Sequence, residues 1–234
     1  MLTIYVDESV DDVTGMYVVG GYLGDKKQWT SYVEEWKEAL KPRVSLHLST
    51  LRLNSKGAPR RYGPLLERLG TVPKNCALRP FVGSVCARDY KDRFSGTILE
   101  NSMKGYVLAI LALMDELGSY LPHGERVEVI FEQNIVYAEL RERAMIFWQN
   151  YWPRKAPRGK SLLAKWSSIE KCILTEASDY LCYALHQSDA AGDSQKALLT
   201  SPILSQEIVR NHRSKQNVDN WIRIIKEYKK KKGE

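Results

Sequence analysis

Three acidic residues occupy positions where a folded chain could use them for chemistry. Asp7 follows Ile4-Tyr5-Val6, Glu132 follows Val129-Ile130-Phe131, and Asp179 lies within an otherwise apolar helical pattern. Asp7 is followed directly by a second acid, Glu8. Hard divalent cations such as Mg²⁺ and Mn²⁺ need several oxygen ligands. Carboxylates from two strand ends and one helix are an economical way to supply them in a single cleft. Such a cluster activates water and neutralises phosphate charge in two-metal phosphodiester hydrolysis. Carboxylates held this close repel one another unless a metal or a proton intervenes, so perturbed proton affinities are expected. Taken singly, each acid reads more readily as a solvated turn or helix-surface residue than as a catalytic one, and spacing alone does not bring the three together.

Other residues extend the set. In the late helix Ile173, Ala177, Leu181 and Ala184 form the apolar stripe, which leaves Glu176, Asp179 and Tyr183 on a different face. Glu176 is therefore a further candidate ligand. His47 lies between Leu46 and Leu48 and, on an extended chain, points opposite to both. It suits a general acid or base in phosphodiester cleavage, or a hydrogen-bonded structural histidine. Arg154, Lys155, Arg158 and Lys160 form a basic stretch flanked by Trp152 and Trp166. Such a stretch can neutralise phosphates while aromatic rings stack on unpaired bases, or it is a solvated loop above core tryptophans. His123, His186 and His212 receive no role.

These residues must be positioned by strands and helices in alternation. Leu2–Val6 and Met16–Leu23 are apolar runs separated by turn-forming Asp11-Asp12-Val13-Thr14-Gly15, which predicts an antiparallel hairpin. A helix is expected over Gln28–Leu40, then a brief extended piece over Val44–Leu48, a loop over Asn54–Arg61 and a helix over Pro64–Leu69. Further strands are expected over Ala77–Ala87, Val127–Glu132 and Leu162–Ile169. Helices are expected over Ile98–Leu121, Tyr137–Tyr151, Ile173–His186 and Val218–Lys229. Strands alternating with helices around a mixed sheet indicate an α/β or α+β fold. With no repeat and no long linker, the 234 residues read as one domain with a C-terminal helical extension from about 200.

The net charge of +7 favours a polyanionic partner only weakly, because the excess is concentrated in the 154–165 stretch and in Lys229–Lys232. A terminal lysine run is more often a solvated end. The four cysteines form no C-x-x-C pair, and Cys182 with His186 has no second pair to complete a zinc site. They read as small core residues in a reducing, cytoplasmic setting. The N-terminus reads as a strand rather than a signal peptide, and the apolar segment around Tyr106–Met114 is too short to span a bilayer. No P-loop, GxGxxG, G-x-S-x-G or H-E-x-x-H occurs, which argues against nucleotide-driven motors, Rossmann dehydrogenases, α/β-hydrolases and zincins.

The segment Tyr5-Val6-Asp7-Glu8-Ser9, followed by Val18-Val19-Gly20-Gly21, resembles the opening of a large bacterial family, the domain of unknown function numbered three-eight-zero-zero. Its later landmarks have counterparts here in order. They are Trp29 and Trp36, then Leu46-His47-Leu48, then Ile130-Phe131-Glu132, then Glu176-Ala177-Ser178-Asp179, covering the chain to about residue 187. Two positions depart from the pattern. Val10 stands where the family usually has Gly, and Glu176 where it usually has Gln. The resemblance implies a ribonuclease H-like core with added helices. Asp7, Glu132 and Asp179 would hold Mg²⁺ or Mn²⁺, with Glu8, Glu176 and His47 as candidates to orient water or carry a proton. The expected activity is phosphodiester hydrolysis of nucleic acid, RNA or DNA, in a phage-defence or mobile-element setting. The alternative is a non-catalytic nucleic-acid- or partner-binding module of the same fold, working with a protein partner or as a homodimer.

Overall fold

The structure is a computed structural model that describes residues 1–11, 15–48, 51, 53, 57–86, 105–122, 124–155, 163–189 and 202–213. Strands β1 (Leu2–Asp11) and β2 (Met16–Gly24) form the expected antiparallel hairpin, with Thr3 opposite Gly24 and Asp11 opposite Met16. Strand β3 (Arg79–Cys86) pairs antiparallel with β2. On the other side of β1, β4 (Arg126–Glu132) runs parallel to it, and β5 (Leu163–Ile169) runs parallel to β4. A short strand, β6 (Val209–Arg213), lies parallel beside β3. The result is a six-stranded mixed sheet of order β5-β4-β1-β2-β3-β6 in a mixed α/β fold.

Helices cover both faces of the sheet. Helices α3 (Gly105–Tyr120) and α4 (Ala138–Lys155) pack with Ile4, Val6, Val19, Phe81, Val129 and Phe131 into one core. Helix α3 is apolar nearly all round, as a helix enclosed between a sheet and another helix must be. The opposite face carries α1 (Lys26–Leu40), α2 (Ala58–Asn75) and α5 (Ile173–Asp189), packed on Val18, Tyr22 and Val82. Helix α1 starts at Asp25, whose carboxylate accepts from the Gln28 backbone N–H while the Gln28 side chain accepts from the Asp25 backbone N–H. This reciprocal cap satisfies two of the donors a helix start leaves open.

Three stretches differ from expectation. Strand β1 continues past Val6 to Asp11, paired with β2 throughout, so Asp7 lies mid-strand rather than at a strand end. Helix α2 begins at Ala58, inside the expected loop over Asn54–Arg61, because Pro59 falls in its first turn, where a missing N–H costs nothing. Strand β6 lies where a helical extension from about 200 was expected; its sequence, Val-Arg-Asn-His-Arg, has only one apolar residue. The Val44–Leu48 piece joins no strand, but its parity is as expected: Leu46 and Leu48 are buried while His47 is half-exposed. Residues 98–104 of the expected long helix, the expected helix over Val218–Lys229 and the Lys229–Lys232 run lie outside the described residues. All four cysteines are free; Cys76, Cys86 and Cys182 are buried and Cys172 partly so. Among the described residues, no helix is long and apolar enough to cross a membrane.

Candidate functional site

Strand parity sorts the acids. Along β1, Ile4 and Val6 point into the α3/α4 core, so Tyr5 and Asp7 point to the α5 face and Glu8 returns to the α3/α4 side. Along β4, Val127, Val129 and Phe131 take the α3/α4 side, so Glu132 shares the face of Asp7. The parallel register pairs Tyr5 with Ile130 and Val6 with Phe131, so the next residues in step are Asp7, mid-strand in β1, and Glu132, at the end of β4. Helix α5 crosses this face, and Ser178 fixes it to β1 by donating to the Tyr5 carbonyl at 2.8 Å. The Cys182 thiol donates to the Asp7 carbonyl at 3.2 Å, one turn further along.

Asp179 comes down from α5 on this same face of the sheet. A lysine that the sequence did not single out, Lys171, stands between the groups. Its ammonium donates to Asp179 Oδ2 at 3.0 Å, lies 3.5 Å from Glu132 Oε1 and contacts His47 Nδ1 at 3.1 Å. His47 Nδ1 is itself 3.6 Å from Asp179 Oδ2. One cation therefore touches both carboxylates and the histidine, which makes the three neighbours in space. Glu132 is also held by the Thr175 hydroxyl at the start of α5.

Asp7 is 7% exposed. Burial raises its carboxyl well above the ordinary range, and the charges of Glu8, Asp179 and Glu132 push the same way, against one backbone hydrogen bond from Glu8. Burial lowers the Lys171 ammonium, but Asp179, Glu132 and Asp7 outweigh it, so the net shift is upward. The anionic cluster thus shifts both residues the same way, toward the protonated form: the acid resists ionisation and the base resists losing its charge.

The other candidates occupy different surroundings. Glu176 is 3% exposed and accepts from the Trp36 indole at 2.6 Å. Burial raises its carboxyl, while the Trp36 bond and a backbone bond from Leu46 lower it. It ties α5 to α1 and to the segment that carries His47. Glu8 belongs to the opposite face. Its carboxylate accepts from Asn134 at 2.9 Å and from the Tyr106 hydroxyl at 3.4 Å. Behind Tyr106 lies Arg141, 3% exposed, which donates to the Tyr106 oxygen at 3.4 Å and to Ser168 at 3.0 Å and sits 4.9 Å above the Phe131 ring. Burial raises Glu8, and Arg141 is the largest influence against it. His186 is buried, with its Nδ1 2.8 Å from the Ser9 hydroxyl oxygen. Arg154 and Lys155 end α4, whereas Arg158 and Lys160 lie outside the described residues.

Asp7, Glu132, Asp179 and His47 are thus brought to one side of the sheet; Glu8 is turned to the other, and Glu176 is engaged by Trp36. Lys171 and Arg141 were missed because an isolated basic residue has no motif. The only signal for Lys171 was its place in the short connection from β5 to α5, eight residues before Asp179. The donor set suits a hard cation, since its carboxylates are oxygen ligands. The ammonium of Lys171 already fills part of that demand for positive charge. Among the described residues, no three of His, Cys, Asp and Glu are gathered closely enough to hold an ion as they stand. Compared with known protein families the sequence matches none, and no curated protein matches it.

Proposed function

We propose that the chain is a metal-dependent nuclease or related phosphodiesterase, built on a ribonuclease H-like core and belonging with the family its opening motif resembles. One observation carries the reading: β1, β4 and α5 deliver Asp7, Glu132 and Asp179 to one face, where their shared charge is met by a single lysine. A sheet with an antiparallel β1-β2-β3 unit followed by parallel β4 and β5 supports the same reading. Asp7, Glu132 and Asp179 would hold Mg²⁺ or Mn²⁺. When bound, the ion supplies Lewis-acid stabilisation of charge on the phosphate oxygens. Glu132 stays aimed at the site through Thr175. Half-exposed His47 can accept or release a proton at Nδ1 beside Asp179. The Lys171 ammonium, beside Glu132 and Asp179, would be placed to meet a phosphate oxygen. Glu8, held by Asn134 and Tyr106, keeps β1 in place from the other side.

The test is calorimetric titration of Mn²⁺ into wild type and Asp179→Asn, with cleavage of mixed RNA and DNA substrates followed in the same samples. Asp179 is only 17% exposed but lies at the rim on α5, so its amide should leave the fold intact. Metal binding and cleavage should both fall by more than about tenfold. Unchanged Mn²⁺ affinity in the variant would remove Asp179 from the site.

A second reading has a specific observation behind it. The ion pairs made by Lys171 are what a non-catalytic binding module would use to neutralise its acids permanently. Lys171→Gln separates the two. In the nuclease the ammonium competes with the ion, so the variant should bind Mn²⁺ about tenfold more tightly. In the binding module its loss would leave the acids unneutralised, lowering stability by about 1 kcal/mol with no gain in metal affinity.

A further inference from the structure

The face that carries the acids also holds a cavity of about 720 Å³ further back along β1. Its lining includes Thr3 and Tyr5 of β1, Lys26, Trp29, Val33 and Lys37 of α1, and Leu174 of α5. It borders the acid cluster at two points. Tyr5 precedes Asp7 by two residues on the same side of the strand, a spacing of about 7 Å. Leu174 adjoins Thr175, which holds Glu132.

We propose that this cavity is a subsite for one nucleotide of a single-stranded nucleic acid, with the base against Tyr5, Val33 and Leu174 and the phosphates on either side of it reached by Lys26 and Lys37. The inference rests on the nuclease reading and narrows its substrate. Volume is the first argument, since ligand sites of this kind enclose roughly 300–1,000 Å³. The floor is the second. Tyr5 is partly exposed and is braced edge-on by buried Trp29, with ring centroids 4.6 Å apart, and the Trp29 indole is itself anchored to the Thr3 carbonyl at 3.1 Å. A braced, partly exposed aromatic ring beside apolar side chains is a platform for a base, whatever its identity. The rim is the third: Lys26 and Lys37 are exposed at opposite ends of α1, against one acid, Glu34, in the lining. Their charge is complementary to a phosphate backbone running along the helix toward the carboxylates. A duplex hides its base faces in the stack, so the cavity selects for single strands.

The experiment is binding of a fluorescently labelled single-stranded oligonucleotide in EDTA, where no cleavage occurs, read by anisotropy across a salt series. Wild type is compared with the Lys26→Glu/Lys37→Glu double variant and with Thr30→Trp, which fills the cavity from the exposed side of α1 without changing charge. A mononucleotide and a blunt duplex serve as competitors. The double variant should weaken binding at least tenfold and flatten the salt slope by about one to two. Thr30→Trp should weaken binding without altering the slope, and the single strand should compete better than the duplex. Wild-type affinity in both variants, or better competition by the duplex, would overturn the subsite. If the mononucleotide competes as well as the oligonucleotide, the cavity takes a free nucleotide and the substrate assignment is wrong. Loss of binding in these variants, alongside a failed Mn²⁺ titration of the acids, would retain the subsite and reject the nuclease. Asp179-dependent cleavage with unaltered binding would do the reverse.

Discussion

A methyl group at position 83 is expected to destabilise the protein by about 4 kcal/mol or more, a large part of the roughly 5–15 kcal/mol that holds a typical domain together. Gly83 lies mid-strand in β3, opposite Val19 on one side and Asn211 on the other. A Cβ there would sit 2.1 Å from the Ala109 carbonyl oxygen and 2.4 Å from the Leu113 nitrogen. Both are backbone atoms of α3, so no rotamer change relieves the contact. Relief requires α3 to lift from the sheet, and its residues Ile110, Leu113 and Met114 are fully buried there. Gly63→Ala provides the contrast. Beyond its chain neighbours and its own helix backbone, no atom lies within 4 Å of a Cβ at that position, while the ring of the following Pro64 crowds a preceding Cβ in helical backbone, so the substitution should change stability by less than about 1 kcal/mol. Urea titrations followed by tryptophan fluorescence measure both. A Gly83→Ala midpoint close to wild type would show that α3 does not approach β3 this tightly.

Asp7→Asn should separate stability from function. If Asp7 is a direct ligand, cleavage should fall by more than about a hundredfold, since even outer-shell partners of a metal typically account for 10–100-fold. Without metal, the same variant should be at least as stable as wild type near neutral pH. Burial and the charges of Glu8, Asp179 and Glu132 raise Asp7 above its unfolded-state value. A raised carboxyl binds its proton more tightly in the folded state. Stability is therefore fully present below the ordinary carboxylate range and declines as pH rises through the raised folded value. Asparagine has no charge to bury, so it should lack this decline. Melting temperatures of both proteins in EDTA from pH 4 to pH 9 should diverge in the variant's favour as pH rises. Added Mn²⁺ should then raise the wild-type melting temperature alone. A variant that melts below wild type at every pH would mean that the Asp7 carboxylate is favourably paired.

The hairpin, the strand-end position of Glu132 and the orientation of His47 were legible because they follow from a period of two and from turn chemistry. Parity would have separated Asp7 from Glu8, since neighbouring residues on a strand serve opposite layers, but the strand was expected to stop at Val6, two residues short of Glu8. Glu176 was legible as distinct from the apolar stripe but not as buried, since its partner Trp36 is 140 residues away. Strand β6 escaped because a short, polar edge strand has no hydrophobic pattern and pairs with a distant part of the chain. Lys171 escaped for a related reason: its significance comes from the acids it meets, and those are assembled only by the fold.

The placement of β6 has a consequence for how the chain is made. The segment Phe81–Val85 gains its outer partner only when Val209–Arg213 has emerged, more than a hundred residues later in synthesis. Until then β3 presents a row of unpaired N–H and C=O groups on a strand whose side chains are almost all apolar, the kind of edge that recruits other chains. Arg210, which helps make β6 a poor strand by composition, is suited to this location: its guanidinium donates to the Ser84 hydroxyl of β3 and puts charge on the outermost strand, so that the finished molecule closes the edge its own nascent form leaves open.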